Sequence, residues 1–264
     1  EPDTEAALPD LWTRLDLTTA IDLQPYRTPA VGLDDVDPAS TGPYPTDAEG
    51  KRAAKRDLKR LVARMATLQR QFYADGRFAL LVVLQAMDAG GKDGTIRRAM
   101  SGLNPQGVRV TSFKAPTELE LAHDFLWRIH REVPRRGAIG VFNRSHYEDV
   151  LVARVARLVD EATWRARYAQ IAAFEATLAA AGTSMLKVYL HVGRDEQAKR
   201  LRKRIEDPER HWKFDAADLV ARAQWAEYRA AYAEVFARCS DPAPWLIVPA
   251  DRKWYRDVVV ATAM

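Results

Sequence analysis

The stretch from Phe78 to Thr95 limits the possible folds more than any other part of the chain. Phe78–Leu84 is an unbroken apolar run, the pattern of a strand buried on both faces of a parallel sheet. It leads into Gln85-Ala86-Met87-Asp88-Ala89-Gly90-Gly91-Lys92-Asp93-Gly94-Thr95, and Thr95–Leu103 reads as a helix. Strand, glycine-rich turn, lysine and helix in that order are the layout of a P-loop. Gly90, Gly91 and Gly94 allow backbone N–H groups to turn inward around phosphate oxygens. The helix start, with Thr95 in its first turn, adds the positive end of its dipole, and Lys92 adds a mobile charge.

The match to G-x-x-x-x-G-K-[ST] is imperfect. Ala86 replaces the first glycine, and Asp93 stands where Ser or Thr would meet magnesium. A glycine-rich β–α turn with a surface lysine would look similar. Asp88 lies inside the loop, where a carboxylate would repel phosphate unless a metal ion lay between them or it oriented an incoming acceptor. Its ordinary alternative is a helix cap.

The surrounding pattern predicts an α/β fold. An amphipathic helix begins near Lys51, with Leu58, Leu61, Val62, Met65, Leu68 and Phe72 on one face. Strands are expected at Val108–Phe113, Ala138–Phe142, Met185–His191 and Trp245–Val248. Helices are expected at Glu118–Glu132, stopped by Pro134, at Asp160–Ala181, at Glu196–Glu206 and at Ala217–Arg238. Five strands separated by helices make an open α/β sheet. Residues 1–49, broken by Pro25, Pro29, Pro38, Pro43 and Pro45, read as an irregular arm, and residues 50–264 as one domain.

Two further segments carry candidate chemistry. Asn143-Arg144-Ser145-His146-Tyr147-Glu148-Asp149 follows the third strand, where P-loop proteins place an acid for magnesium. The strand ends in neutral Asn143, so Glu148 or Asp149 could supply the charge, and Arg144 could neutralise phosphate in the transition state. An N-cap Ser145 with Glu148 in the first turn is the plainer reading. Residues 194–213 concentrate Arg194, Lys199, Arg200, Arg202, Lys203, Arg204, Arg210 and Lys213, and continue into His211-Trp212-Lys213-Phe214 after the Asp207-Pro208 break. A solvated helix face is the usual explanation of such a run. Beside a P-loop it reads instead as a lid, at about 194–225, closing over a polyanion. Nucleic acid is the rival polyanion, but no nucleic-acid fold motif accompanies it.

Charge and composition bound the remaining classes. Forty Lys and Arg against 36 Asp and Glu give +4, which suits an anionic ligand. The single Cys239 excludes an intrachain disulfide and a multi-cysteine zinc site. The longest apolar run falls short of the ~20 residues of a membrane span. The first residues show no basic and apolar leader, so a cytoplasmic location and no membrane partner are expected.

Together these segments resemble the polyphosphate kinase 2 family. The resemblance rests on Met87–Thr95, Ser112-Phe113-Lys114-Ala115-Pro116-Thr117, Asp124-Phe125-Leu126-Trp127-Arg128, Asn143–Glu148, His211–Phe214 and Asp251-Arg252-Lys253-Trp254, in the family's order. It implies a three-layer, thymidylate-kinase-like P-loop kinase fold, a five-stranded parallel sheet with a helical lid. It implies transfer of the terminal phosphoryl group of inorganic polyphosphate to adenine or guanine nucleotides with Mg2+, and a homo-oligomer that binds no nucleic acid. The resemblance gives Asp88, Lys92, Arg144 and Glu148 catalytic roles, with Asp88 also at the metal. It puts Gly90, Gly91, Gly94, Thr95, Lys92, Arg204 and Lys213 on phosphate or polyphosphate. It puts Lys114, Arg128, Asn143, His146 and Glu148 on the nucleotide. Asn143 departs from the Asp of much of the family and Glu148 supplies a carboxylate further on, a form similar to the subgroup that accepts both AMP and ADP. An ATP-dependent nucleotide kinase on the same fold is the competing expectation.

Overall fold

The computed structural model describes residues 21–264. The first 20 residues of the expected arm lie outside the described residues. Five strands form one sheet, β1 (Ala79–Ala86), β2 (Val108–Ser112), β3 (Ile139–Asn143), β4 (Thr183–His191) and β5 (Trp245–Pro249), in the order β2-β3-β1-β4-β5. Every pairing is parallel, and Leu84 of β1 faces Asn143 on one side and Val188 on the other. β1 is central and buried along almost its whole length, as its unbroken apolar sequence requires.

The ten helices among the described residues are α1 (Ala48–Asp75), α2 (Lys92–Ala99), α3 (Glu118–Leu121), α4 (Trp127–His130), α5 (Glu148–Val155), α6 (Glu161–Ala180), α7 (Arg194–Glu206), α8 (Ala217–Ala223), α9 (Trp225–Arg238) and α10 (Lys253–Ala263). α10 packs on α1 and α2, whereas α5, α6 and α9 pack on one another. Right-handed crossovers put these two groups on opposite faces of the sheet. The chain leaves β1 toward the β2 edge and leaves β4 toward the β5 edge. The carboxyl ends of β1 and β4 therefore form a topological switch point, where open α/β sheets bind ligands.

Local chemistry sets the helix ends. Asp47 accepts hydrogen bonds from the amides of Glu49 and Gly50 at the start of α1, and Gly76, with φ 63°, closes it. The helix expected over Glu118–Glu132 divides into α3 and α4. Thr117 and Glu120 cap α3 reciprocally, but Asp124 then takes the Leu126 amide and competes with the helix ladder. The helix expected over Ala217–Arg238 breaks at Gln224, whose φ and ψ of −90° and 29° leave the helical region. α5 and α10 were not expected. In α10 the buried positions run from Tyr255 through Ala261 and include the charged Arg256 and Asp257, and in α5 only half the residues are buried.

Residues 21–47 hold only a 3-10 turn at Gln24–Tyr26 and an isolated bridge from Arg27 to Leu246. They nevertheless pack on the domain. Ile21, Tyr26, Leu33, Val36 and Tyr44 are buried, the Tyr26 and Tyr255 hydroxyls lie 2.7 Å apart, and Thr28 Oγ1 accepts the Trp245 amide at 2.8 Å.

Candidate active site

The loop after β1 turns tightly, with the Gly90 amide donating to the Met87 carbonyl at 2.9 Å. Ala89 and Gly91 are both left-handed, at φ 57° and 107°. A Cβ at Gly91 would lie 2.0 Å from Arg256 Nη1, so glycine is required there twice over, by conformation and by space. α2 starts at Lys92, and its first-turn amides lack intrahelical acceptors, a ready anion site. Gly94 and the buried Thr95 lie in that turn; Thr95 Oγ1 donates to the Gly91 carbonyl at 3.2 Å.

β1 and β3 end side by side, which brings the two sequence clusters together. Lys92 Nζ lies 3.3 Å from the Ala86 carbonyl. Arg144, itself left-handed at φ 63°, donates from Nη2 to Asp88 Oδ1 at 3.2 Å and lies 4.0 Å from Glu148. Burial and the neighbouring Arg144 push the Lys92 ammonium below the usual lysine range, against the pull of Asp88 and Glu148. Burial raises the Glu148 carboxyl, and Arg144 and Lys92 only partly offset it. Burial works against the Arg144 cation, but Glu148 and Asp88 outweigh it and hold its pKa up.

Asp88, Arg144 and Glu148 line one end of a cavity of about 380 Å³. Leu151 and Val152 of α5 and Val220 and Ala221 of α8 give it apolar lining, beside the carboxylates of Asp215 and Asp218. In the first turn of α2, Asp93 joins three segments: Asn143 Nδ2 donates to it at 2.9 Å and Lys213 Nζ lies 3.2 Å away. Burial would raise Asp93, but these two donors bring it below its ordinary value. The lid is thereby tied to the first turn of α2.

Other expected residues lie elsewhere. His146 is fully buried; its Nε2 lies 3.1 Å from Glu175 Oε1, in a cluster with Tyr147 and Lys187 under β4. It therefore packs the core and does not reach the cavity. Arg204 is held within the lid by Asp218 at 2.7 Å and the Lys213 carbonyl at 3.2 Å, so it stabilises the lid fold. Lys114 and Arg128 meet in a separate cleft of about 300 Å³ at the end of β2, where Arg128 Nη1 donates to the Lys114 carbonyl at 2.8 Å and Nη2 lies 3.6 Å from Asp149.

Sequence reasoning missed several contacts of the loop. Gln197 Nε2 donates to the Asp88 carbonyl at 2.9 Å. Arg200 Nη1 donates to the carbonyls of Ala89 and Gly90 at 3.1 and 3.0 Å, and Arg256 Nη1 lies 3.4 Å from the latter. Within a helix carrying many bases, nothing in the sequence separates Arg200 from its neighbours.

A parallel sheet ordered β2-β3-β1-β4-β5, with a lysine-bearing glycine loop at the switch point and a helical lid, is the architecture of a P-loop kinase. The family described as Polyphosphate kinase 2 (PPK2) matches residues 48–264. A protein of Meiothermus ruber named AMP/ADP-polyphosphate phosphotransferase is 52% identical over 213 residues, 80% of this chain and 80% of its own. The ADP-polyphosphate phosphotransferase of Rhodopseudomonas palustris is 45% identical over 237 residues, covering 83% and 82% of the two chains. The crystal structure of polyphosphate kinase 2 from Arthrobacter aurescens TC1 superposes with a TM-score of 0.85 at 43% identity, over 90% of this chain and 85% of that one. The chain belongs to the polyphosphate kinase 2 family.

Proposed function

We propose that this enzyme moves the terminal phosphoryl group of inorganic polyphosphate onto AMP and then ADP, making ATP in two steps. The observation that carries this reading is the meeting of Asp88, Arg144 and Glu148, with Lys92 close enough to feel all three charges, in a cavity also lined by apolar residues of α5 and α8. The purine, adenine or guanine, would lie between α5 and α8, with the acceptor phosphate toward Asp88 and Arg144. Glu148 and Asn143 would hold the nucleotide side of the site. The polyphosphate end would rest on the amides of residues 90–95 and on Lys92, with Lys213 over it from the lid.

In the reaction an acceptor phosphate oxygen attacks the terminal phosphorus as the bond to the bridging oxygen breaks, and the chain leaves one unit shorter. Lys92 and Arg144 neutralise charge on the transferring group, and Asp88 orients the acceptor. No group of three or more His, Cys, Asp or Glu that could hold a metal ion gathers among the described residues. Mg2+ binds through one or two carboxylates and substrate phosphates, and here Asp88, with Glu148 as the second candidate, would hold it. When bound, Mg2+ would supply charge neutralisation between the phosphate oxygens. Among the described residues no helix is long and apolar enough to cross a membrane.

Chromatographic product analysis with polyphosphate and each of AMP, ADP, GMP and GDP tests the reading. ATP formed from AMP by way of ADP is expected. ADP accumulating without ATP would remove the second step. Phosphorylation supported by ATP but not by polyphosphate would replace the reading with an ordinary nucleotide kinase.

A further inference from the structure

We infer that Gln197 and Arg200 are positioning residues that hold the phosphate loop in its binding shape from behind and couple it to the lid. The inference rests on the function proposed above for what the loop binds, but its geometry is independent of it.

Three successive loop carbonyls are held by one face of one helix. Gln197 takes Asp88, and Arg200 takes Ala89 and Gly90. The same guanidinium reaches across the end of β4 to the Ala250 and Asp251 carbonyls at 2.6 and 3.1 Å, while its Nε meets Glu196 at 2.8 Å. Arg200 is 9% exposed at its side chain and Gln197 1% exposed, so neither is a free surface group. A planar fork that bridges two loops in this way cannot be replaced by a point charge.

The loop needs such an anchor. Ala89 sits at φ 57°, where a residue with a Cβ is strained, and no glycine relieves it there. Carbonyls drawn outward by Arg200 fix this conformation in advance of any ligand. Along α7 the spacing 197, 200, 204 keeps three side chains on one face. Arg204, the third, grips Lys213 and Asp218 in the lid. One helix face thus holds the back of the loop at one end and the lid at the other.

The test compares Arg200→Met, Arg200→Lys and Ala89→Gly, singly and with Ala89→Gly combined with each Arg200 change. Glycine at 89 takes a left-handed φ without strain, so it substitutes for the anchor and for nothing else that Arg200 could do. Arg200→Met should lower kcat on the order of 100-fold with the nucleotide KM little changed. Arg200→Lys, which keeps the charge toward Glu196 and preserves folding, should lose nearly as much. Ala89→Gly should recover a large part of either loss. Deuterium uptake by peptides covering 87–95 should rise in both Arg200 variants. Equal kcat in single and double variants would overturn the inference, as would unchanged deuterium uptake in the Arg200 variants. Wild-type protein without polyphosphate-dependent turnover would overturn the proposed function instead, and the exchange comparison would still decide whether Arg200 holds the loop.

Discussion

Asp88 is a carboxylate placed among groups meant for anions, and Arg144 pairs with it at 3.2 Å. The pair is partly exposed, so removing the charge should leave the fold intact. Asp88→Asn should lower turnover on the order of 100-fold or more with an unchanged melting temperature, as expected for a group that orients the acceptor; turnover near wild type would take Asp88 out of the mechanism. At Glu148 the expected effect is on pH dependence. Burial raises its carboxyl, so it protonates at a higher pH than an ordinary glutamate. The acid limb of kcat/KM should therefore lie above the normal glutamate range, and Glu148→Gln should remove that limb from the pH–rate profile. These residues were legible because each follows an apolar strand within a few positions: 88 and 92 after β1, 144 and 148 after β3. His146 sits in the same motif, but helical geometry at the start of α5 turns it away from Glu148 and into the core. Which side of a turn a residue faces depends on where the helix starts, and the cap read at Ser145 falls instead at Tyr147, with no side-chain cap.

The strands were legible because their apolar runs match burial on both faces, and α1 because its apolar positions recur at helical spacing. α7 was legible as a helix but not as a machine part. Its bases look alike in sequence, and only packing against the loop makes Arg200 structural while Lys213, beyond the helix, stays 35% exposed beside Asp93. Lys213→Ala should accordingly raise the KM for polyphosphate more than the KM for nucleotide, and should flatten the salt dependence of polyphosphate affinity. Steady-state kinetics at several ionic strengths measures both; an effect confined to the nucleotide KM would separate the lid from the polyphosphate.

In the whole molecule, the arm packs against the segments that follow β4 and β5. His191, last residue of β4, is buried beside Val36 of the arm, and burial together with Arg229 lowers it to about 4, against the opposite pull of Asp34, Asp37 and the Val36 backbone. The unfolded chain then binds more protons than the folded one between about 6.5 and about 4. This group therefore leaves stability flat above pH 6.5 and removes it as the pH falls through that window. His191→Asn, which does not titrate there, should show a shallower loss; denaturant midpoints at neutral pH and near pH 5 would measure it, and parallel losses would free His191 of the effect. The sequence by itself determined the parallel sheet, the glycine-rich turn after β1 and the basic helix α7, because hydrophobic periodicity and glycine placement act over neighbouring residues. Only the tertiary structure decided that Asp88 meets Arg144, that His146 and Arg204 serve the fold, and that Arg200 braces the loop, because those outcomes depend on which strands end together and which helix crosses behind them.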